Sequence, residues 1–200
     1  MRKLSTLLVL TLMVATLATA ADTPKKVDKA AMEKAAMEAM MKAATPGEAH
    51  KKLNAMAGTF DAKVKMWPAP GAPPMESSGK AVNEWVLGGR WLQQRFDGSF
   101  MNTPFSGIGY TGYDNIRQTY VGTWMDTMST SVMSSSGSPD AAGKNWIFNA
   151  SMMDPMSGEA VNYEEKVTVS DNDHHVFEMY GPGPDGGMYK MMEISYTRKK

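Results

Sequence analysis

The hydrophobic period of this chain changes at Thr59, and that change restricts the fold more than any other feature. From there Phe60, Ala62, Val64 and Met66 alternate with Asp61, Lys63 and Lys65, as in a strand with one buried face. Nine further strand-like segments follow, at 80–87, 90–97, 105–113, 116–125, 129–135, 145–152, 160–169, 175–180 and 188–197. Gly88-Gly89 and Asp114-Asn115 have the chemistry of tight hairpin turns, and Gly, Pro, Asp, Ser or Asn break the chain between the rest. Connections this short admit only antiparallel neighbours. Many evenly spaced strands indicate a barrel or a sandwich, and closure into a barrel leaves no edge exposed. The expected fold class is mainly β: an antiparallel barrel of about ten strands preceded by one short capping helix.

Three segments are expected along the chain. Residues 1–20, MRKLSTLLVLTLMVATLATA, combine Arg2 and Lys3 with an apolar run and the small residues Ala18-Thr19-Ala20, the pattern of an export signal cleaved near Ala20. The run is too short and too interrupted by Ser and Thr for a spanning helix, and no Cys follows it for lipid attachment. The expectation is a periplasmic or secreted protein with no membrane anchor after cleavage. Residues 21–45 are rich in Ala, Lys, Glu and Met but form no clean apolar stripe, so they read as a partly helical, solvated linker. Thr45-Pro46-Gly47-Glu48 has the order of a helix start, with Thr45 as cap and Pro46 first in the helix. That helix would place Ala49, Leu53 and Met56 on one face and stop at Gly58. Residues 46–200 then form the barrel domain.

Composition removes several classes of function. The 21 basic and 21 acidic residues cancel, so a strongly basic face for nucleic acid is not suggested. With no Cys there is no disulfide, no thiolate metal site and no cysteine nucleophile. His50 lies beside Lys51 and Lys52 and reads as a surface residue; His174 and His175 follow Asp171-Asn172-Asp173 in an expected hairpin turn. Adjacent histidines on a strand point to opposite faces, so a shared metal ion is not expected there. No His sits centrally in a predicted strand, where it would hold a haem. Neither a Gly-x-Ser-x-Gly elbow nor a glycine-rich phosphate cradle occurs. The chain is therefore read as no enzyme and as carrying no cofactor; Asp126, Glu165 and Glu193 would be its only acid–base groups.

Methionine is the compositional oddity, at 20 residues. Clusters at Met37/Met40/Met41, Met152/Met153/Met156 and Met191/Met192 offer soft thioethers that suit copper(I). The favoured reading is core filling by a flexible side chain. Copper binding is carried as an alternative.

The run Leu53-Asn54-Ala55-Met56-Ala57-Gly58-Thr59-Phe60 resembles the helix-to-first-strand signature of calycin-type barrels, with Phe60 in the place of the usual Trp. Gly88-Gly89-Arg90-Trp91-Leu92, Gly109-Tyr110-Thr111-Gly112-Tyr113-Asp114 and residues 120–128 (YVGTWMDTM) add to it. Together with Asp154-Pro155-Met156-Ser157-Gly158 and residues 190–196, they are similar to the bacterial domain-of-unknown-function family 1579 over residues 47–198. The resemblance implies a lipocalin-like barrel and brings no established activity. Barrels of this type often hold one small apolar or amphipathic ligand in the mouth.

Aromatic and charged strand residues are the site candidates. Trp91, Gln93 and Arg95 share one face of their strand, and Leu92, Gln94 and Phe96 the other. Tyr120, Trp124 and Asp126 also share a face. The expected ligand wall is Trp85, Trp91, Tyr110, Tyr120 and Trp124, with Asp126 beside it and Arg95 or Glu193 as polar anchor. Arg95 would pair with Glu178 or Glu193, or receive a carboxylate ligand. Parity alone leaves open which face points inward. The other reading is a structural or interaction module with a filled barrel, and no protein partner is specified.

Overall fold

The computed structural model describes residues 28–200, so the expected export signal lies outside the described residues. Helix α1 (Lys29–Ala44) is continuous and has no buried residue, as its lack of an apolar stripe requires. Thr45 Oγ1 donates to the Met41 carbonyl (2.6 Å), and Asn115 Nδ2 donates to the carbonyls of Ala43 (3.0 Å) and Thr45 (2.9 Å). These bonds take up carbonyls that a helix C-terminus leaves without partners. Thr45 therefore closes α1 instead of capping the helix that follows.

That next helix, α2 (Glu48–Lys51), runs into a 3₁₀ turn at Lys52–Met56. Its cap is Gly47, whose N–H donates to His50 Nδ1 at 3.1 Å. His50 is thus not a surface residue: it is 5% exposed and packs edge-on against Tyr113. Burial, the Arg90 charge nearby and a backbone hydrogen bond to Tyr113 act on it together, the first two prevailing, and hold its pKa below the usual imidazole value. Ala49, Leu53 and Met56 do share the inward face, with Leu53 fully buried.

Ten strands follow: β1 (Gly58–Met66), β2 (Met75–Val86), β3 (Trp91–Phe100), β4 (Thr103–Asp114), β5 (Thr119–Asp126), β6 (Met133–Pro139), β7 (Asn145–Met153), β8 (Ala160–Val169), β9 (His174–Pro182) and β10 (Met188–Arg198). Each pairs antiparallel with the next, and β10 pairs back with β1 to close the barrel. Several boundaries differ from expectation: β2 starts five residues early at Met75, β3 and β4 extend to Phe100 and back to Thr103, and the starts of β5 and β6 move for local reasons. Asp114 Oδ1 accepts the N–H groups of Ile116 (2.8 Å) and Arg117 (3.0 Å), so the β4–β5 turn takes four residues and β5 starts at Thr119. Asp126 Oδ1 likewise takes the Met128 N–H and Ser129 Oγ the Ser131 N–H, which keeps 129–132 out of β6. His174 and His175 open β9 and do not sit in the turn; His174 is exposed against Asp171, and His175 is buried.

The register fixes which face is inward. Phe60, Ala62 and Val64 of β1 are buried, and their partners Ala81 on β2 and Tyr196 on β10 are buried with them. Carried around the barrel, the inner face includes Leu92, Gln94 and Phe96, then Tyr120, Gly122 and Trp124, then Trp146, Phe148 and Ala150, then Tyr163, Glu165 and Val167. One end is plugged by α2 and the 3₁₀ turn. Inward side chains hold that plug: Tyr120 OH donates to Ala49 O (2.7 Å), Asn83 Nδ2 to Met56 O (2.7 Å) and Trp85 Nε1 to Asn54 Oδ1 (2.9 Å).

The seam where β10 meets β1 carries a heavily engaged cation. Arg198 lies over the Phe60 ring at 4.6 Å and donates to Ala57 O (2.7 Å), Ala55 O (3.1 Å) and Asn172 O. Its Nε also reaches Asp173 Oδ1 at 3.2 Å. One guanidinium thus joins the plug, the first strand and the β8–β9 turn. Gly58 stands at φ +128°, and a β-carbon there would collide with Arg198 Nη1.

Arg198→Lys keeps the charge but has no fork with which to serve three segments. It is expected to lower the unfolding free energy in urea by about 2–4 kcal/mol, because plug carbonyls lose charge-assisted partners. A loss within experimental error would show that the charge alone suffices.

Candidate functional site in the barrel lumen

The two ends of the barrel differ in how completely their side chains fill it. At the plugged end Leu53, Leu92, Tyr120, Trp146, Phe148 and Val169 form one buried cluster. Towards the other end Met66, Phe105, Trp124, Phe177, Met192 and Ile194 pack against a second cluster yet stay only partly buried. Met152, Tyr163 and Met179 also face inward and keep partial exposure. These inward residues keep contact with solvent at the end away from the plug, and the space they border is the lumen.

The rim is notched. Pairing of β2 with β3 begins at Gly79–Gly98, so Met75 to Ser78 pair only with β1 and Ser99 and Phe100 only with β4. A cleft of about 560 Å³ occupies this gap, lined among others by Met66, Ser77, Ser78, Ser99 and Phe100.

Trp124 supplies the flattest piece of wall. Gly107 and Gly109 on β4 face it, and β-carbons at either position would run into the indole. The absence of side chains there lets the ring lie against the backbone, the close approach that only glycine permits. Trp124 Nε1 donates to Asp126 Oδ2 at 2.8 Å, which fixes the ring's orientation.

Deeper in the barrel stand polar groups. Glu165 is 8% exposed, between Phe148 of β7 and Met179 of β9 in the register. Burial raises its pKa to about 7 against the pull of a hydrogen bond from Ser135. Gln94 hydrogen-bonds Tyr196, whose phenol burial pushes well above its ordinary range. His175 stacks on Tyr196 (4.5 Å between centroids) and meets Phe60 edge-on at 4.7 Å. Burial, with the Arg198 charge adding to it, drops the His175 pKa to about 4 and keeps the ring neutral. Asn83 Oδ1 is buried with no protein partner.

The eight residues expected at the site separate into three places. Trp124 and Asp126 line the lumen. Trp85 and Tyr120 face inward but serve the plug, and burial pushes the Tyr120 phenol up to about 12. Trp91, Arg95, Tyr110 and Glu193 lie on the outer wall. Trp91 covers the outer side of Gly112, Gln93 Nε2 donates to Tyr110 OH (2.6 Å), and Arg95 Nε donates to Gln93 Oε1 (3.1 Å). Glu193 and Glu178 both pair with Lys190, not with Arg95. The anchors named for a carboxylate ligand therefore stand outside the barrel, because β3 and β10 turn Leu92, Phe96, Ile194 and Tyr196 inward. Glu165, a buried carboxyl group, has a legible signal: Val161, Tyr163, Val167 and Val169 share its face, while Asn162, Glu164, Lys166 and Thr168 occupy the other.

Methionine divides as well. Met66, Met133, Met179 and Met192 belong to the interior, but Met32, Met37, Met40, Met41, Met153 and Met156 are exposed, so core filling accounts for only part of the excess. Among the described residues no group of three His, Asp or Glu side chains is placed to hold a metal ion.

Two outcomes follow from this geometry. Gly107→Ala is expected to displace the Trp124 ring, shift its fluorescence and cost about 1–3 kcal/mol; in a Trp124→Ala background the same change should cost far less, and equal costs would refute the packing. Glu165 carries a proton in the folded state from its ordinary 4.5 up to about 7, so its contribution to stability is full below pH 4.5 and lost as pH rises through 7. His175 runs the other way, full above 6.5 and lost as pH falls through about 4. Each amounts to about 3 kcal/mol and the two oppose one another. Unfolding titrations between about pH 4.5 and 6.5 should show stability rising with pH in Glu165→Gln, falling with pH in His175→Phe, and nearly level in the unaltered chain.

Comparison with known proteins adds the family. No curated protein matches the sequence. Among solved structures the chain is similar to Rv2717c from M. tuberculosis, with a TM-score of 0.57 and 12% identity over 78% of this chain and 100% of that one. That is a likeness of fold. A redesigned β barrel also aligns, at TM-score 0.39 and 14% identity, over 76% of this chain and 96% of that one. The family model described as "Protein of unknown function (DUF1579)" matches residues 45–198, from the end of α1 to the arginine at the barrel seam, and the chain belongs to that family.

Proposed function

We propose that this chain is an exported, non-catalytic binding protein whose barrel lumen carries one small hydrophobic or amphipathic molecule. The observation that carries the reading is an inner wall of apolar side chains left partly exposed, with Trp124 laid flat on Gly107 and Gly109 as a platform. The notch between β2 and β3 opens a cleft at the same rim, and Met66 belongs to both the cleft and the inner wall. Export rests on the signal-like residues 1–20, and the periplasm is the destination they suit. Absence of catalysis is supported by how the three candidate acid–base groups stand: Glu193 is on the outer wall with Lys190, Asp126 is engaged by Trp124 and Met128, and Glu165 is hydrogen-bonded to Ser135 between Phe148 and Met179.

Native mass spectrometry of the protein recovered from its own periplasm tests the reading. A discrete excess mass that is released on denaturation is expected. A clean apo mass, combined with no uptake of the neutral dye Nile red, would favour a filled barrel acting as a structural module.

A further inference from the structure

We infer that the lumen is built for a ligand whose polar end is cationic, an amine on an apolar body, and that Glu165 is the group this end meets. The inference rests on the lumen reading above and specifies its chemistry. It comes from the sidedness of charge in the wall. Lys63, Lys65, Lys80, Arg95, Lys166 and Lys190 alternate with inward residues and point outward. Arg198 shares the parity of the inner face, but it lies at the plugged end with its guanidinium committed to Ala55, Ala57, Asn172 and Asp173. Of the two buried histidines, His175 is packed against Phe60 and Tyr196, and His50 stays in the plug against Tyr113. Among the described residues the lumen therefore holds carboxylates, Glu165 and Asp126, and no available cation.

The two acids are not equivalent. Asp126 has both oxygens engaged, Oδ2 by the Trp124 indole and Oδ1 by the Met128 N–H. Glu165 has Ser135, and its cross-strand neighbours are Phe148 and Met179. A buried carboxylate with so little around it is stabilised by any cation delivered to it, whereas a second carboxylate would arrive desolvated and repelled. The inward side chains between it and the rim cleft are apolar and adaptable. Across the register Glu165 stands opposite Met179, Met179 opposite Met192 and Met192 opposite Met66, which lines the rim cleft. Flexible thioethers suit a body of loose shape, and the faces of Trp124, Tyr163 and Phe177 suit an ammonium.

Three probes of equal length test the inference: octylamine, 1-octanol and octanoate, titrated calorimetrically into the purified protein at about pH 8, where Glu165 is ionised. Octylamine is expected to bind about tenfold or more tighter than octanol, with octanoate weakest. Glu165→Gln should bring octylamine down to the level of octanol, while Glu193→Gln on the outer wall should leave the order as it was. Octanoate binding as tightly as octylamine, or an amine preference that survives Glu165→Gln, would overturn the inference and leave the lumen reading standing. Binding of none of the three would sink the lumen reading and the inference with it. Should Glu165→Gln fail to fold, the ranking of the three probes on the unaltered protein decides.

Discussion

The contact between Arg198 and Phe60 is the constraint on which the rest of this barrel depends. A ten-strand meander has two free edges until its last strand finds its first, and each edge is a row of unpaired backbone groups. Closure alone would leave a tube open at both ends. Arg198 is on the last strand, Phe60 on the first, and the guanidinium passes across the ring to take the carbonyls of the 3₁₀ turn. The side chain that marks the seam therefore also holds the plug. Gly58 is tied to the same event, since its positive φ turns the chain from plug to strand beside Arg198.

A plug at one end sets the character of the interior. Near it, polar groups that would otherwise be stranded have partners: the Tyr120 hydroxyl, the Asn83 Nδ2 and the Trp85 indole N–H each bond to the helix or turn that closes the tube. Away from it, side chains of identical parity keep part of their surface. Glycine then becomes a tool of shape. Gly107 and Gly109 lower the wall so that an indole lies within it rather than across the opening. Buried Glu165 and His175 pull stability in opposite directions with pH, which lets a barrel with two uncompensated titratable groups inside remain evenly stable over a mildly acidic range.

Much of this was legible without coordinates. The alternation of Phe60, Ala62, Val64 and Met66 with charged residues announced a half-buried strand, and the short spacing of the following segments required antiparallel pairing. The resemblance of residues 47–198 to a family of unknown function agrees with the match over 45–198. Local hydrogen bonds explain where reading residue by residue fell short. Thr45 reads as an N-cap because Pro and Glu follow it, yet its hydroxyl is taken by the carbonyl four residues back. His50 reads as solvated because two lysines follow, yet its ring nitrogen is the acceptor that starts α2.

The sequence by itself determined the strand count and the two-faced alternation of strands such as the first, because alternation and turn chemistry are properties of neighbouring residues; the family was legible separately, as a resemblance of particular motifs. It could not say which side of a strand is inside, since that depends on partners far along the chain. Closure through β1 and β10 supplied the answer: it turned Phe60 and Tyr196 inward, and with them every paired residue in register around the barrel. Trp91, Arg95, Tyr110 and Glu193 went outside by that rule, and Glu165 went in. An even or odd position along a strand is local information, but the direction of the core is a fact about all ten strands at once.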